Sequence, residues 1–319
     1  MLFLAASLAA LATWRFKLPS VFDTYAHPRA HFSCGSYNVR MIANAPYQQL
    51  SIRGITIEGW SRAGIQSYWQ IPEWSVGFDI GVCPWQFRDT DTWLISHTHL
   101  DHMAALPVLL ARRNMMRLAP PKIVVPEAAF DDVMALLRCW EKLDRGIQHC
   151  DLVGAAPGDI IPLGNRLSAL VFATKHTIPS QGYLIREQRQ KLKPEYADLA
   201  PDQIRERKRA SVAMTEAVEF PLLAYTGDTS VEGLDDNPFL YRVPILLTEM
   251  SFVEESSSRD RVRAFGHMHL QDILERAAKF ENEKLIVSHL TTRTSEAEVR
   301  RILDAELPAN LRSILHLWI

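Results

Sequence analysis

Four cysteines in 319 residues, Cys34, Cys83, Cys139 and Cys150, are too few and too scattered for a disulfide framework, and no two form a CxxC pair. Reduced thiols in a cytosolic protein are therefore expected, and a cysteine-based metal knuckle is excluded. An excess of either charge is missing too: 35 Lys and Arg face 37 Asp and Glu, a formal net charge of −2. With no global field to draw a polyanion, any nucleic acid has to be met by a local basic patch. No apolar run reaches the roughly 20 residues that cross a bilayer, so stable membrane association is not expected. The apolar stretch at residues 1–13 is followed rather than preceded by its positive charges, Arg15 and Lys17, the reverse of a secretory leader. It reads as a helix packed on the domain, as a leader, organelle-targeting segment or interfacial anchor, or as sequence upstream of the true start. Internal repeats and low-complexity linkers are absent. What remains is a chain 47% hydrophobic and 23% charged, long enough to bury a substantial core.

After an amino-terminal extension of unknown role (1–48), the pattern from 49 to 319 is that of one mixed α/β domain. Short strands are expected over 50–57, 67–71, 75–80, 92–96, 122–125, 167–174, 182–186, 222–225, 245–249 and 284–288, punctuated by Gly, Pro and Asp. Helices are expected over 106–116, 128–143, 270–280 and 295–305. Interleaved strands and helices point to layered sheets and helices. One segment departs from that texture: residues 186–209, opening a charged insert that runs to about 215, alternate Arg and Lys with Glu and Asp. No glycine occurs from Leu184 to Ala224. A protruding helical insert is expected there, either a solvated face of mixed charge pairs or a phosphate-contacting surface carried by Arg205, Arg207, Lys208 and Arg209.

The chemistry is concentrated in Ser96-His97-Thr98-His99-Leu100-Asp101-His102, directly after a buried-type strand. In extended chain, residues two apart share a side, so His97 and His99 can hold one cation together. Where the chain turns toward the following helix, Asp101 and His102 can face a second. Imidazole nitrogen and carboxylate oxygen suit Zn²⁺. Two neighbouring cations need further ligands, and His176, Asp228 and His289 each follow an expected strand, where open α/β sheets gather their sites.

These residues resemble the metallo-β-lactamase superfamily, and within it the ribonuclease Z branch that trims the 3′ ends of precursor tRNA. HTHLDHMAALPVLL, HTIPSQGY, YTGDT, LLTEMSF with GHMH, and LIVSHLTTR carry the likeness between Leu50 and Arg293. It implies an αββα four-layer sandwich and two Zn²⁺ per chain, with Mn²⁺ or Fe²⁺ as alternatives. His97, His99 and His176 would hold one ion, Asp101, His102 and His289 the other, with Asp228 bridging. The nucleophile would be the hydroxide left when a metal-held water loses a proton, with Asp101 orienting that water or accepting its proton, and His267 would protonate the departing 5′ oxygen. Asp79 would support the metal histidines, and His269 reads as a surface residue. RNA is the implied partner, and a homodimer the implied assembly. The family's glycine-rich opening loop is not visible, Thr294 stands where its final motif has tyrosine, and the charged insert occupies the place of its Gly/Pro-rich tRNA-gripping arm. The competing enzyme reading is therefore a hydrolase of a small ester or phosphodiester, such as a cyclic nucleotide or a lactone. A redox role is disfavoured because His99 stands where the iron-dependent members of the resemblance carry an acidic residue. A non-catalytic scaffold is disfavoured because all seven ligand positions are filled.

Overall fold

The computed structural model describes residues 45–196, 199–210 and 213–319, and the apolar stretch at 1–13 lies outside them. Among the described residues, fourteen strands form two seven-stranded sheets in simple sequence order. The first holds β1 (Gln48–Ile52), β2 (Ile55–Arg62), β3 (Gln66–Ile71), β4 (Val76–Ile80), β5 (Thr92–Leu94), β6 (Lys122–Pro126) and β7 (Asp151–Ala155). Its first four strands are antiparallel and β4 to β7 run parallel. The second holds β8 (Ile160–Gly164), β9 (Leu167–Ala173), β10 (Gln181–Leu192), β11 (Thr215–Tyr225), β12 (Ile245–Glu249), β13 (Lys284–Ser288) and β14 (Leu315–Leu317). It too is antiparallel from β8 to β11 and parallel from β11 to β14.

Parallel strands need covered crossovers, and the buried side chains separate into three layers accordingly. Ile57, Trp69, Phe78, Leu94, Val124, Tyr183, Tyr225, Leu247 and Ile286 fill the space between the sheets. Trp93, Ile95 and Ile123 carry the helices Leu106–Met115 and Phe130–Asp144 on the outer face of the first sheet. Leu246, Leu285 and Val287 carry the helices Glu296–Glu306 and Ala309–Ile314 on that of the second. The order of layers is αββα. Trp318 closes the sandwich: its ring lies 5.0 Å from that of Trp69 and its indole N–H donates to the Gly59 carbonyl at 3.1 Å.

Two expectations are corrected. The strand expected over 50–57 is a hairpin, because Arg53 and Gly54 both adopt positive φ and fold β1 back on β2. The insert is only partly helical. β10 runs on to Leu192 and pairs with β11 out to Thr215, so a two-stranded arm projects past the last β9 pairing at Glu187. The helix is confined to Pro201–Arg209. Cross-strand pairing overrides the helical propensity of an Arg, Gln and Lys-rich stretch, which has no glycine or proline to stop the strand before Pro194.

Candidate metal centre

All the strands that feed the site end at one rim. Within the first sheet β4 and β5, and within the second β9, β11, β12 and β13, share a direction, and they deliver Asp79, His97, His176, Asp228, Glu249 and His289 at or just beyond their carboxyl ends. His99 turns the chain: it is the N-cap of the short helix Leu100–Met103, which brings Asp101 and His102 back under it. The extended-then-turned geometry expected for residues 97–102 is what the backbone adopts.

His97, His99 and His176 form one cluster. His97 Nε2 and His176 Nε2 each lie 3.1 Å from His99 Nδ1. Asp101, His102 and His289 form a second, with the two imidazole Nε2 atoms 3.2 Å apart and Asp101 Oδ2 3.7 and 3.5 Å from them. Nitrogens on a zinc at about 2.0–2.1 Å sit roughly 3.3 Å apart along a tetrahedral edge, so the spacing fits a divalent ion in each cluster. Asp228 stands between the two. Its Oδ2 is 3.7 Å from His97 and 3.4 Å from His102, and its Oδ1 is 3.4 Å from His289. The seven residues singled out as metal ligands thus lie together, six of them in the triads His97–His99–His176 and Asp101–His102–His289, and Asp228 in a triad with His176 and His267.

In the first cluster, protonation favours cation binding. Burial and neighbouring imidazoles hold His97 well below the ordinary imidazole range, and His99 and His176 are lowered for the same reasons. Their lone pairs are therefore available near neutrality. Burial would raise Asp101, but its contacts with His289 and His102 bring it down to about 2. Burial disfavours a charged His102, yet Asp228 and Asp79 outweigh it and raise that imidazole. The proton on that ring and a cation would compete for the same Nε2, so a cation binding there must displace the proton.

A second ring of contacts sets the orientation of the ligand side chains. Asp79, fully buried, accepts from the Ser96 N–H at 2.7 Å, the Ser96 hydroxyl at 2.8 Å, the Tyr225 hydroxyl at 2.5 Å and His102 Nδ1 at 2.7 Å. One carboxylate thereby joins both sheets and points His102 Nε2 into the centre, the supporting place expected of it. His176 Nδ1 donates to the Gly266 carbonyl at 2.9 Å. Gly266 has φ of +70°, and a Cβ there would lie 2.6 Å from His176 Nδ1, so only glycine fits. Asp79 and His289 adopt positive φ without being glycine, a strain of about 1–3 kcal/mol each that the packed surroundings must hold.

His267 reaches the same centre from the loop after the helix Arg259–Ala264. Its Nδ1 is 4.0 Å from Asp228 Oδ2 and 3.0 and 3.2 Å from the two Glu249 oxygens. Burial works against its charge, but Glu249 and Asp228 prevail and raise it to about 9. Glu249 is the residue that sequence reasoning missed. It was visible as the acidic end of a strand in LLTE, but nothing in the sequence shows that it accepts from His267, Thr229 N–H and Ser251 Oγ together. His269, expected at the surface, is buried. It caps the helix Leu270–Leu274 through Nδ1, and its Nε2 donates to the Glu254 carbonyl at 3.0 Å.

Arg205, Arg207, Lys208 and Arg209 are exposed on the arm helix, at the opposite end of β10 and β11 from the metal ligands. A 12-residue strand spans roughly 40 Å, which separates the basic cluster from the centre. The structure therefore does not bring these four residues to the site.

Comparison with known proteins follows the same direction. The chain is 33% identical over 261 residues to tRNase Z TRZ1 of Arabidopsis thaliana, covering 81% of this chain and 93% of that protein. It is 35% identical over 253 residues to the chloroplastic tRNase Z TRZ2 of the same plant, covering 79% and 72%. Nuclear ribonuclease Z of Triticum aestivum is 38% identical over 170 residues, 53% of this chain and 97% of that one. No family model matches the chain. Among solved structures, the metallo-β-lactamase fold protein YhfI from Bacillus subtilis superposes with a TM-score of 0.52 at 14% identity, over 82% of this chain and 88% of that one. A long-form RNase Z from yeast gives 0.50 at 11%, over 82% and 38%. At such identities the structural likeness concerns the fold alone, and the fold is the metallo-β-lactamase one.

Proposed function

The chain belongs to the ribonuclease Z family, and from that premise we propose that it is a metal-dependent endoribonuclease that removes the 3′ trailer of precursor tRNA, with residues 49–319 as its hydrolase domain. The observation that carries the reading is Asp228 standing between two ligand clusters, His97, His99 and His176 on one side and Asp101, His102 and His289 on the other. The donor set of imidazole and carboxylate fits two Zn²⁺, with Mn²⁺ or Fe²⁺ as alternatives. Such ions, when bound, polarise a phosphoryl oxygen and make water acidic enough to attack near neutral pH.

The chain's own residues do the rest. Asp101 Oδ2 accepts from the Gly64 N–H at 2.8 Å, which fixes the carboxylate where it can orient an attacking water and take its proton. On the other side of the centre, His267 Nδ1 is engaged by Glu249, leaving Nε2 free to deliver a proton to the departing oxygen. Glu249 touches no substrate in this scheme; it holds the imidazole in position and keeps it charged. Glu249→Gln is accordingly expected to lower the His267 pKa. The acid form is the active one, so the alkaline limb of the kcat–pH profile should move to lower pH, while metal content is unchanged. A profile with an unmoved alkaline limb would remove Glu249 from this role.

The arm supports RNA over a small ester. A ligand that reaches both the metal centre and Arg205, Arg207, Lys208 and Arg209 must span more than a turn of nucleic-acid duplex, about 34 Å. The arm arginines are partly neutralised, Arg205 by Asp202 at 3.3 Å, and the last-turn cations also counter the helix dipole. Charge reversal at Arg205, Arg207 and Arg209 separates these roles. Processing of a 3′-extended precursor tRNA should fall about tenfold or more and lose part of its salt dependence, with hydrolysis of bis(p-nitrophenyl) phosphate unchanged. Equal loss on both substrates would mean damage to the fold, and no loss on either would return the small-ester reading.

A homodimer belongs to the same proposal. On the helix Phe130–Asp144, Leu136, Trp140 and Leu143 are exposed at 39, 42 and 74%, with exposed Ile147 just past its end. A helical stripe of this size is expected to be covered by another protein surface, here a second copy. Trp140→Glu should convert a dimer to a monomer by light scattering.

Among the described residues, no helix is long and apolar enough to cross a membrane.

A further inference from the structure

A cleft of about 460 Å³ lies next to the chain segment that carries His267, lined among others by Phe252, Glu254, Ser256, Arg261, Phe265 and Arg293, and the chemistry assigned to the metal centre makes no use of it. Its place is fixed by the chain. The Phe252 ring lies 6.4 Å from the His267 ring, Phe265 is two residues before His267, and Arg293 is four residues after His289. The helix Arg259–Ala264 carries three arginines with different partners. Arg259 pairs with Asp272 and Glu275, and Arg263 with Asp272 and Glu232. Arg261 forms no ion pair among the described residues, and neither does Arg293. Instead the Arg261 guanidinium lies over the Phe265 ring, 5.6 Å from its centre, and that ring is 52% exposed. The one carboxylate in the lining, Glu254, accepts from the Thr294 hydroxyl at 2.8 Å and the Ser256 hydroxyl at 3.3 Å. The cleft therefore offers two guanidiniums without a carboxylate partner among the described residues, serine hydroxyls and two aromatic rings within one volume large enough for a small organic ligand.

That combination suits a nucleotide: planar guanidiniums and hydroxyls for a phosphate, aromatic faces for a base. Resting on the ribonuclease reading above, we infer that this cleft holds the nucleotide on the leaving-group side of the scissile phosphodiester. The reason for the side is chemical. His267 is the group placed to protonate the departing sugar oxygen, so the nucleotide that owns that oxygen must lie against His267, and Phe252, 6.4 Å from that ring, brings the cleft's lining next to it. Its base stacks on Phe265, with Phe252 behind, and its other phosphate lies between Arg261 and Arg293.

The test uses the full chain with its metals and two precursor tRNAs, one intact and one abasic at the nucleotide on the leaving-group side, with binding and single-turnover cleavage both measured. Loss of base stacking typically weakens binding about 5- to 150-fold, so the abasic precursor should bind wild type roughly tenfold or more weakly. Arg261→Ala and Phe265→Ala should each weaken the intact precursor by a similar factor without altering metal content. In Phe265→Ala the abasic penalty should largely vanish, and Phe265→Tyr should restore it. Should wild type cleave the precursor while these variants bind it normally, or should Phe265→Ala keep the full abasic penalty, the cleft assignment is overturned and the ribonuclease reading survives. Failure of wild type to cleave any precursor overturns both.

Discussion

Replacing Asp228 by alanine is expected to abolish hydrolysis of precursor tRNA and of a small diester alike, and to strip metal from the protein. Asp228 is 3% exposed and contacts both ligand clusters at once, His102 and His289 at 3.4 Å and His97 at 3.7 Å. Losing a residue that merely orients a metal ligand typically costs about 10- to 100-fold in metal affinity or activity, so a group shared by two ions should cost more, of order 10³-fold or beyond. Without it, His102 keeps only Asp79 and Asp101 as carboxylate partners among the described residues, and two cations set side by side would lack the carboxylate between them. Elemental analysis should find close to two equivalents of zinc in the wild-type chain and at most one in the variant. A variant that keeps two metals and its activity would show that the carboxylate does not bridge.

His267→Ala should behave differently. Its metal content should match wild type, because the ring contributes to neither triad, and its kcat on precursor tRNA should fall by about 10²–10⁴, the ordinary contribution of a positioned acid. The discriminating comparison is bis(p-nitrophenyl) phosphate, whose nitrophenolate departs without being protonated. Loss should be large on RNA and small on that ester. A uniform loss would instead place His267 in metal binding, the reading in which it pairs with His176 and Asp228 around a cation. The pH profile of the wild type bears on the same point: with Glu249 holding His267 charged up to about 9, activity should persist on the alkaline side until that proton is lost.

The site was legible where chemistry is written in short range. The HxHxDH run places three imidazoles and a carboxylate by local geometry alone, and the strand-end positions of His176, Asp228 and His289 were readable from the punctuation of buried runs. Glu249 was not, because an acidic residue at a strand end has no distinguishing pattern until its donors, Thr229 N–H, Ser251 Oγ, His267 Nδ1 and Met268 N–H, are assembled from separate loops. His269 was misplaced for the related reason that burial of a lone histidine depends on the capping box it forms with Asp272 and on the Glu254 carbonyl. The charged insert was read as a helix, since its first seven residues carry helix-forming side chains and only pairing with β11 makes them strand.

Residue order alone decided which donor types this protein has, their spacing within the 97–102 turn and the interleaving of strands with helices. These depend on contacts a few residues long, whose energies the local chain already contains. Tertiary structure alone decided that six strand ends meet at one rim, that Asp228 falls between the triads, that Glu249 backs His267 and that the basic cluster stands a strand's length away. Those outcomes depend on pairing between segments up to nearly two hundred residues apart, as between His102 and His289, and burial of the shared core sets their register.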